Sequence, residues 1–201
     1  MTPEDFAARF DVPRGTISRL ARYADLLAEW QRTMNLVSPA SLPMVWERHF
    51  ADSAQLARLT PPGLHWLDVG AGAGFPGLVI AAMEHGRVTL VESVAKKCRF
   101  LEAVVAELGL DATVVRGRAE TVPPAGADVV TARAVAPLAT LFGWTAQHGH
   151  ARTQWLFPKG RRWEEELADA RQAWDFQCES VPSITDHEAR ILVATGVRNR
   201  R

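Results

Sequence analysis

The chain has 201 residues, of which 47% are hydrophobic and 23% charged, and its 23 basic residues are balanced by 23 acidic ones. This length indicates one domain, or one domain with a small addition, and the composition excludes a disordered chain. It contains no apolar run near the roughly 18 residues of a membrane span, its first residues do not resemble a signal peptide, and its zero net charge gives no direct argument for a nucleic-acid partner.

The first 60 residues predict helices. One stripe of apolar residues recurs at helical spacing: Ile17, Leu20, Ala24, Leu27 and Met34. Ser41 is a candidate N-cap for a second helix, whose apolar side includes His49 and Phe50. The letters "TPPG" at 60–63 then break the chain. We therefore predict a helical extension over residues 1–60 that packs on a core formed by residues 61–201.

After the break, strand-like runs alternate with helix-like stretches. The strand-like runs are 65–69, 87–92, 112–117, 128–134 and 153–158, and the helix-like stretches lie near 77–84, 95–109, 137–147 and 162–175. The end of the chain holds two strand patterns with no helix between them, which predicts an antiparallel hairpin. The pattern predicts an α/β fold with a mostly parallel, seven-stranded sheet.

Polar residues follow several of the predicted strands at the point where each strand ends. Asp68 and a run of glycines follow the first strand, Glu92 ends the second, and residues 116–120 follow the third. Arg133 ends the fourth strand and Lys159 ends the fifth. Because open α/β sheets bind ligands beyond the carboxyl ends of their strands, we expect these groups on one rim.

The stretch "WLDVGAGAGFPGLVI" at 66–80 is compatible with two cofactors. Its letters from Gly72 to Gly77 match the GxGxxG pattern of dinucleotide loops, and Glu92 lies at a suitable distance for a ribose acid. A nicotinamide oxidoreductase is therefore one hypothesis. A turn that only permits tight packing is another.

Two features favour S-adenosylmethionine as the ligand of this stretch. An acid, Asp68, precedes a glycine series that begins already at Gly70, and Pro76 removes a backbone N–H where a pyrophosphate needs donors. S-adenosylmethionine carries a sulfonium and no phosphate. Asp68 would face its cationic end, directly or through water, and Glu92 would accept hydrogen bonds from its ribose hydroxyls.

Other candidate residues also have structural interpretations. Arg133 in an apolar strand needs a ligand or an acid as its partner, because an unpaired buried charge is costly. Lys159 suits an ordinary turn as well as a site, and His49 and Asp52 suit a structural role as well as a catalytic one. The two cysteines are far apart and the six histidines form no HExxH-type pair, so we predict no metal site and a reduced, cytoplasmic protein.

The residues after the fourth strand narrow the choice of acceptor for a transferred methyl group. "TARAVAPL" replaces the Asn/Asp-Pro-Pro-aromatic stretch that is common in methyltransferases acting on exocyclic amines, and neither Cys98 nor Cys178 looks activated. An acceptor that needs no deprotonation, such as guanine N7, fits this set. Basic clusters near the rim, at 96–99, 116–118 and 159–162, are candidates for phosphate contacts.

Several stretches together resemble one known family. "NLVS" (35–38), "RHFADSAQL" (48–56), "WLDVGAGAGFPGLVIA" (66–81), "VESVAKKCRFL" (91–101), "GRAE" (117–120), "DVVTARAVAPL" (128–138) and "FPKG" (157–160) occur in the order seen in bacterial small-subunit ribosomal RNA guanine-N7 methyltransferases. That family is also called glucose-inhibited division protein B, or RsmG. The similarity implies a class I, Rossmann-like S-adenosylmethionine-dependent fold. It also implies methylation of N7 of a specific guanine, guanine 527 of 16S rRNA, with S-adenosylhomocysteine as product.

The residues and the resemblance together give the expected site residues, partners and location. Donor contacts are expected from Asp68, Gly70, Gly72, Gly74, Phe75, Glu92, Ser93, Ala119, Glu120 and Arg133. Arg133 and Lys159 are expected to position the acceptor, and His49, Asp52 and Arg161 to shape the RNA side. The expected partner is 16S rRNA or the small ribosomal subunit, with a monomeric, cytoplasmic enzyme and no membrane. A nicotinamide oxidoreductase and a non-catalytic, RNA-binding ribosome-assembly factor stay open as alternatives.

Overall fold

The computed structural model describes residues 1–200, and its strands form one sheet in the order β3-β2-β1-β4-β5-β7-β6. The strands are β1 (Leu64–Val69), β2 (Gly86–Glu92), β3 (Ala112–Arg116), β4 (Val129–Thr131), β5 (Gln154–Lys159), β6 (Trp174–Pro182) and β7 (Arg190–Asn199). The first five are parallel, and β7 pairs antiparallel with both β5 and β6. This confirms the mostly parallel sheet with a C-terminal antiparallel hairpin.

The helices alternate with the parallel strands as predicted. They are α1 (Pro3–Phe10), α2 (Arg14–Gln31), α3 (Asp52–Ala54), α4 (Gly77–Ala82), α5 (Ala95–Leu108), α6 (Leu138–Thr145) and α7 (Trp163–Ala173). A π-helical turn, Trp46–Ala51, precedes α3, and a 3₁₀ turn, Gln55–Leu59, follows it. We call Trp46–Leu59 the composite helix. Within residues 1–200, no helix is long and apolar enough to cross a membrane.

The N-terminal helices lie against one face of the sheet. Leu20, Tyr23 and Leu27 of α2 are fully buried, and the Tyr23 ring lies 5.4 Å from that of Phe75 in the glycine-rich loop after β1. The predicted stripe is correct up to Leu27, but Met34 lies beyond the end of α2. The extension therefore contributes core and touches the loop that the sequence singles out.

Two local expectations are wrong. Ser41 makes no capping hydrogen bond; its hydroxyl donates to the carbonyl of Ser38 instead. The pattern predicts the fourth strand over 128–134, but its pairing ends at Thr131, since the chain then turns out of the sheet, with Ala134 at a φ of 55°. The residues that come after β4 consequently form a loop, 132–137, at the carboxyl end of the sheet.

Candidate active site

A cavity of about 1100 Å³ lies where the parallel strands end. Its wall is formed by the loops after β1, β2, β4 and β5, by the composite helix and by the turn between β6 and β7. Ligand sites of small molecules occupy about 300–1,000 Å³. The cavity therefore has room for a nucleoside-sized ligand together with a second group.

The glycine-rich loop is held against the end of β2 by Glu92. The Gly72 N–H donates to Glu92 Oε2 at 2.9 Å, and the Val94 N–H donates to Glu92 Oε1 at 2.8 Å. Gly70 and Gly72 have positive φ values of 67° and 58°, in the region that favours glycine. A Cβ on Gly72 would have a single neighbour, the Gly70 carbonyl at 3.6 Å, so the loop presents open backbone to the cavity.

Asp68 lies beneath this loop and does not line the cavity. It is fully buried; its Oδ2 accepts the Gly77 N–H at 2.9 Å, while Oδ1 has no partner within residues 1–200. Burial raises the pKa of Asp68 to about 7, against the lowering effect of the Gly77 hydrogen bond. Oδ2 is directed at the start of α4, so a contact of Asp68 with the ligand, directly or through water, stays a prediction.

Arg133 is held at the cavity wall by two residues of the composite helix. Its Nη1 donates to Asp52 Oδ2 and its Nη2 to His49 Nδ1, each at 2.9 Å. The guanidinium also lies 4.9 Å from the centre of the Phe75 ring, on which the His49 ring stacks at 4.7 Å. The acid partner that the sequence demands for Arg133 is therefore Asp52, and all four residues line the cavity.

His49 is neutral in this arrangement. Burial, and secondarily the charge of Arg133, lowers the pKa of His49 to about 4. Since Nδ1 accepts from Arg133, the ring proton is on Nε2, which lies 2.9 Å from the Ser41 hydroxyl. The imidazole therefore acts as a fixed acceptor and stacking surface.

The composite helix also ties the β6–β7 turn to the site. Asp52 Oδ1 accepts from the Thr185 hydroxyl at 2.8 Å and from Gln55 Nε2 at 3.0 Å, and the Ile184 N–H donates to Gln55 Oε1 at 2.9 Å. The sequence gives no signal for the contacts of Thr185 with Asp52 and of Ile184 with Gln55, because the partners are 133 and 129 positions apart. Asp52 thus links Arg133 to the hairpin.

Lys159 makes two contacts at another part of the cavity wall. Its Nζ lies 2.8 Å from Glu166 Oε2 and donates to the Ala136 carbonyl at 2.8 Å. The same Glu166 oxygen accepts the Leu138 N–H at 2.9 Å. Sequence reasoning missed Glu166; its only signal was the acidic first turn of α7, which Glu164 and Glu165 share.

Four further predicted site residues are not brought to the cavity. Gly74 packs beneath the loop, where a Cβ would lie 2.3 Å from the Leu78 side chain. Ala119 is buried with its carbonyl 2.7 Å from His148 Nε2, and Glu120 is exposed. Arg161 is exposed and lies 3.4 Å from Glu188. Ser93, by contrast, lines the cavity beside Glu92.

These groups determine which ligand chemistry fits. The charged groups nearest the glycine-rich loop are the carboxylates of Glu92 and Asp68, and the loop itself carries no Lys or Arg. Arg133, the nearest cation, is compensated by Asp52. Within residues 1–200, no group of three or more His, Cys, Asp or Glu side chains is arranged to hold a metal ion. The arrangement suits a nucleoside with a positive centre better than an anionic pyrophosphate.

Comparison with known proteins agrees with this chemistry. The family model described as GidB, rRNA small subunit methyltransferase G, matches residues 16–192. Proteins named ribosomal RNA small subunit methyltransferase G are similar to the chain: that of Hyphomonas neptunium is 46% identical over 196 residues, 97% of this chain and 95% of the relative. That of Paramagnetospirillum magneticum is 46% identical over 193 residues, 96% and 94% respectively. A solved S-adenosylmethionine-dependent methyltransferase from Aquifex aeolicus shares the fold, with a TM-score of 0.59, 16% identity, and coverage of 76% of this chain and 92% of that one.

Proposed function

Because the chain belongs to the family of rRNA small subunit methyltransferases G, we propose that its acceptor is N7 of one guanine in 16S rRNA. The methyl donor is S-adenosylmethionine, and the activity is methylation of small-subunit rRNA. The observation that supports the donor site most directly is Glu92, whose carboxylate secures the open glycine backbone at Gly72. Both lie in the wall of the large cavity.

Different residues of the cavity wall contribute to different parts of donor binding. S-adenosylmethionine, when bound, supplies a methyl group on a positively charged sulfur. Each Glu92 oxygen accepts one backbone N–H and keeps a second lone pair, so the carboxylate can also accept from ribose hydroxyls. Arg133 presents its guanidinium plane near Phe75 without adding an uncompensated positive charge, because Asp52 neutralises it.

Guanine N7 is a methyl acceptor that suits a site with no assigned general base, because the site then only has to position it. Its lone pair lies in the ring plane and is nucleophilic without loss of a proton, so no general base is needed. The chain's contribution is then to hold N7 in line with the methyl group, an effect that can amount to about 7–11 kcal/mol. The helical extension, residues 1–60, supplies His49 and Asp52 to this wall and is proposed as part of the active site.

We further propose that the enzyme acts as a monomer in the cytoplasm on 16S rRNA or on the small subunit. Four residues that do not line the cavity stay proposed donor-site residues: Asp68, Gly74, Ala119 and Glu120. Arg161 remains a candidate on the RNA side.

Mapping N7-methylguanine in 16S rRNA tests the acceptor. Cells that lack the protein are expected to lose one modified guanine, and the wild-type gene is expected to restore it. An unchanged modification pattern would instead support the non-catalytic assembly factor. Calorimetry with the purified protein tests the donor: S-adenosylmethionine is expected to bind, and binding of NAD alone would favour the oxidoreductase.

A further inference from the structure

The loop between β4 and α6, residues 132–137, forms one wall of the cavity and covers the glycine-rich loop. Its residues from Arg133 to Pro137 all line the cavity. The Val135 side chain lies directly above Gly70, since a Cβ on Gly70 would be 2.9 Å from Val135 Cγ2. Ala134 has a φ of 55°, a conformation that costs energy for a residue with a side chain. Such a conformation persists only where neighbouring contacts hold it.

Contacts hold this loop at both ends. At its start, Arg133 is bonded to Asp52 and His49. At its end, Lys159 donates to the Ala136 carbonyl, and Glu166 accepts from the Leu138 N–H. No other side chain within residues 1–200 makes a hydrogen bond to the backbone of 134–138.

Two of the hydrogen-bond donors of Lys159 are used to hold the end of this loop. Its side chain is only 8% exposed, and two of its three N–H donors are directed at Glu166 and Ala136. A nearly buried ammonium requires its acid, because removing the partner leaves an uncompensated charge. Glu166 is therefore the group that both orients Lys159 and fixes the start of α6.

From this geometry we propose that Glu166 is a positioning residue for methyl transfer, acting through Lys159 and the β4–α6 loop. The proposal rests on the proposed function, in which the cavity that this loop lines is the site of methyl transfer. Lys159 then contributes by holding the loop rather than by meeting RNA as a free cation. Loss of the contact would let Val135 and the neighbouring wall move, and a misplacement of about 1 Å can cost roughly 100-fold in rate.

The chain offers a matched control on the same helix turn. Glu165 is 65% exposed and pairs with Arg162 at 2.8 Å on the surface. Glu166→Gln removes the charge at the loop, whereas Glu165→Gln removes an equal charge one residue away. Amide hydrogen exchange is expected to quicken in a peptide covering 132–142 for Glu166→Gln and to stay at the wild-type rate for Glu165→Gln.

Kinetics provide the second readout. For Glu166→Gln, kcat per donor-binding site is expected to fall by about 10- to 100-fold, while calorimetry still gives one S-adenosylmethionine per chain. A loss of binding stoichiometry in proportion to activity would mean that the variant merely unfolds, and would overturn the proposal. Wild-type exchange in 132–142 would overturn it as well.

A second substitution checks that the two residues act as one unit. Lys159→Met alone and Lys159→Met combined with Glu166→Gln are expected to lower kcat by similar factors, since each breaks the same contact. Additive losses would contradict the shared role. If the wild-type protein itself transfers no methyl group to 16S rRNA, the proposed function fails, and the hydrogen-exchange result still decides whether Glu166 holds the loop.

Discussion

Replacing Glu92 by Gln is expected to weaken binding of S-adenosylmethionine. Glu92 is 5% exposed, and its two oxygens accept the Gly72 and Val94 N–H groups at 2.9 and 2.8 Å. A glutamine keeps one acceptor oxygen and turns an NH₂ group toward the other donor. It also loses the charge that would meet the ribose hydroxyls. A hydrogen bond to a charged group contributes about 1.5–3 kcal/mol, so we expect a Kd increase of roughly 10- to 150-fold.

The assay is calorimetry with S-adenosylmethionine, accompanied by urea unfolding of each variant. The free energy of unfolding of Glu92→Gln is expected to fall by about 1–2 kcal/mol, less than the loss in binding, because one backbone donor is left unsatisfied. Glu102→Gln is the control: Glu102 is exposed on α5 and makes no ion pair within residues 1–200. An unchanged Kd for Glu92→Gln would show that the carboxylate only holds the loop, and would refute its assignment to the donor.

Three further predictions, the last with a control substitution, test contacts around the site. Asp52→Asn removes the charge from an ion pair whose side chains are less than 20% exposed, and it should lower the free energy of unfolding in urea by about 1–3 kcal/mol; a loss near zero would mean that solvent replaces the pair. Burial raises the pKa of Asp68 from 3.8 to about 7, so the folded protein keeps this proton over a pH range in which the unfolded chain has lost it. The resulting contribution to stability is present below about pH 4 and is lost as the pH rises through 7. Asp68→Asn should therefore flatten the decline in stability between pH 5 and 8, and an unaltered slope would argue against the shift. Gly74→Ala and Gly63→Ala both place a Cβ at positive φ, but only at Gly74 does it meet neighbours within 4 Å, so the thermal midpoint should fall much further for Gly74→Ala; equal losses would mean that backbone strain alone matters.

The sheet was predictable because its signals are local. The second halves of Leu64–Val69 and Gly86–Glu92 are buried on both faces, and this mostly apolar character differs from the helices between them. Topology then predicts where the ligand site lies: residues at the carboxyl ends of the parallel strands share one edge. Glu92, Arg133 and Lys159 were found by this rule, and all three line the cavity.

The contact that the Asp68 carboxylate makes could not be predicted from the local sequence pattern. Side chains alternate along β1, so Asp68 lies on the same face as Trp66, opposite Leu67 and Val69. The alternation was visible in the sequence. That α4 begins on that face, with the Gly77 N–H directed at the carboxylate, depends on how the glycine-rich loop folds back.

Contacts between segments that are far apart in the sequence also could not be predicted. The hydrogen bonds of Gln55 to Ile184 and of Asp52 to Thr185 join residues about 130 positions apart, and no spacing rule connects them. The sequence pattern also did not predict the π-helical turn Trp46–Ala51. His49 in this turn and Asp52 directly after it both reach Arg133, and such turns are frequent at functional sites.

Although the net charge of the chain is zero, the basic residues of the cavity wall fall into two groups. One group is paired with acids and suits a cationic methyl donor, and the other is unpaired and suits an RNA acceptor. Of the cations that line the cavity, Arg133 and Lys159 are each paired with an acid, so neither presents an uncompensated charge to a positively charged sulfonium. Arg48 and Lys97 also line the cavity, and their side chains make no ion pair within residues 1–200. These two are available for phosphate oxygens, which position a nucleic acid without reading its sequence. The paired and the unpaired cations of the cavity wall therefore suit different ligands, and the net charge of the whole chain does not distinguish them.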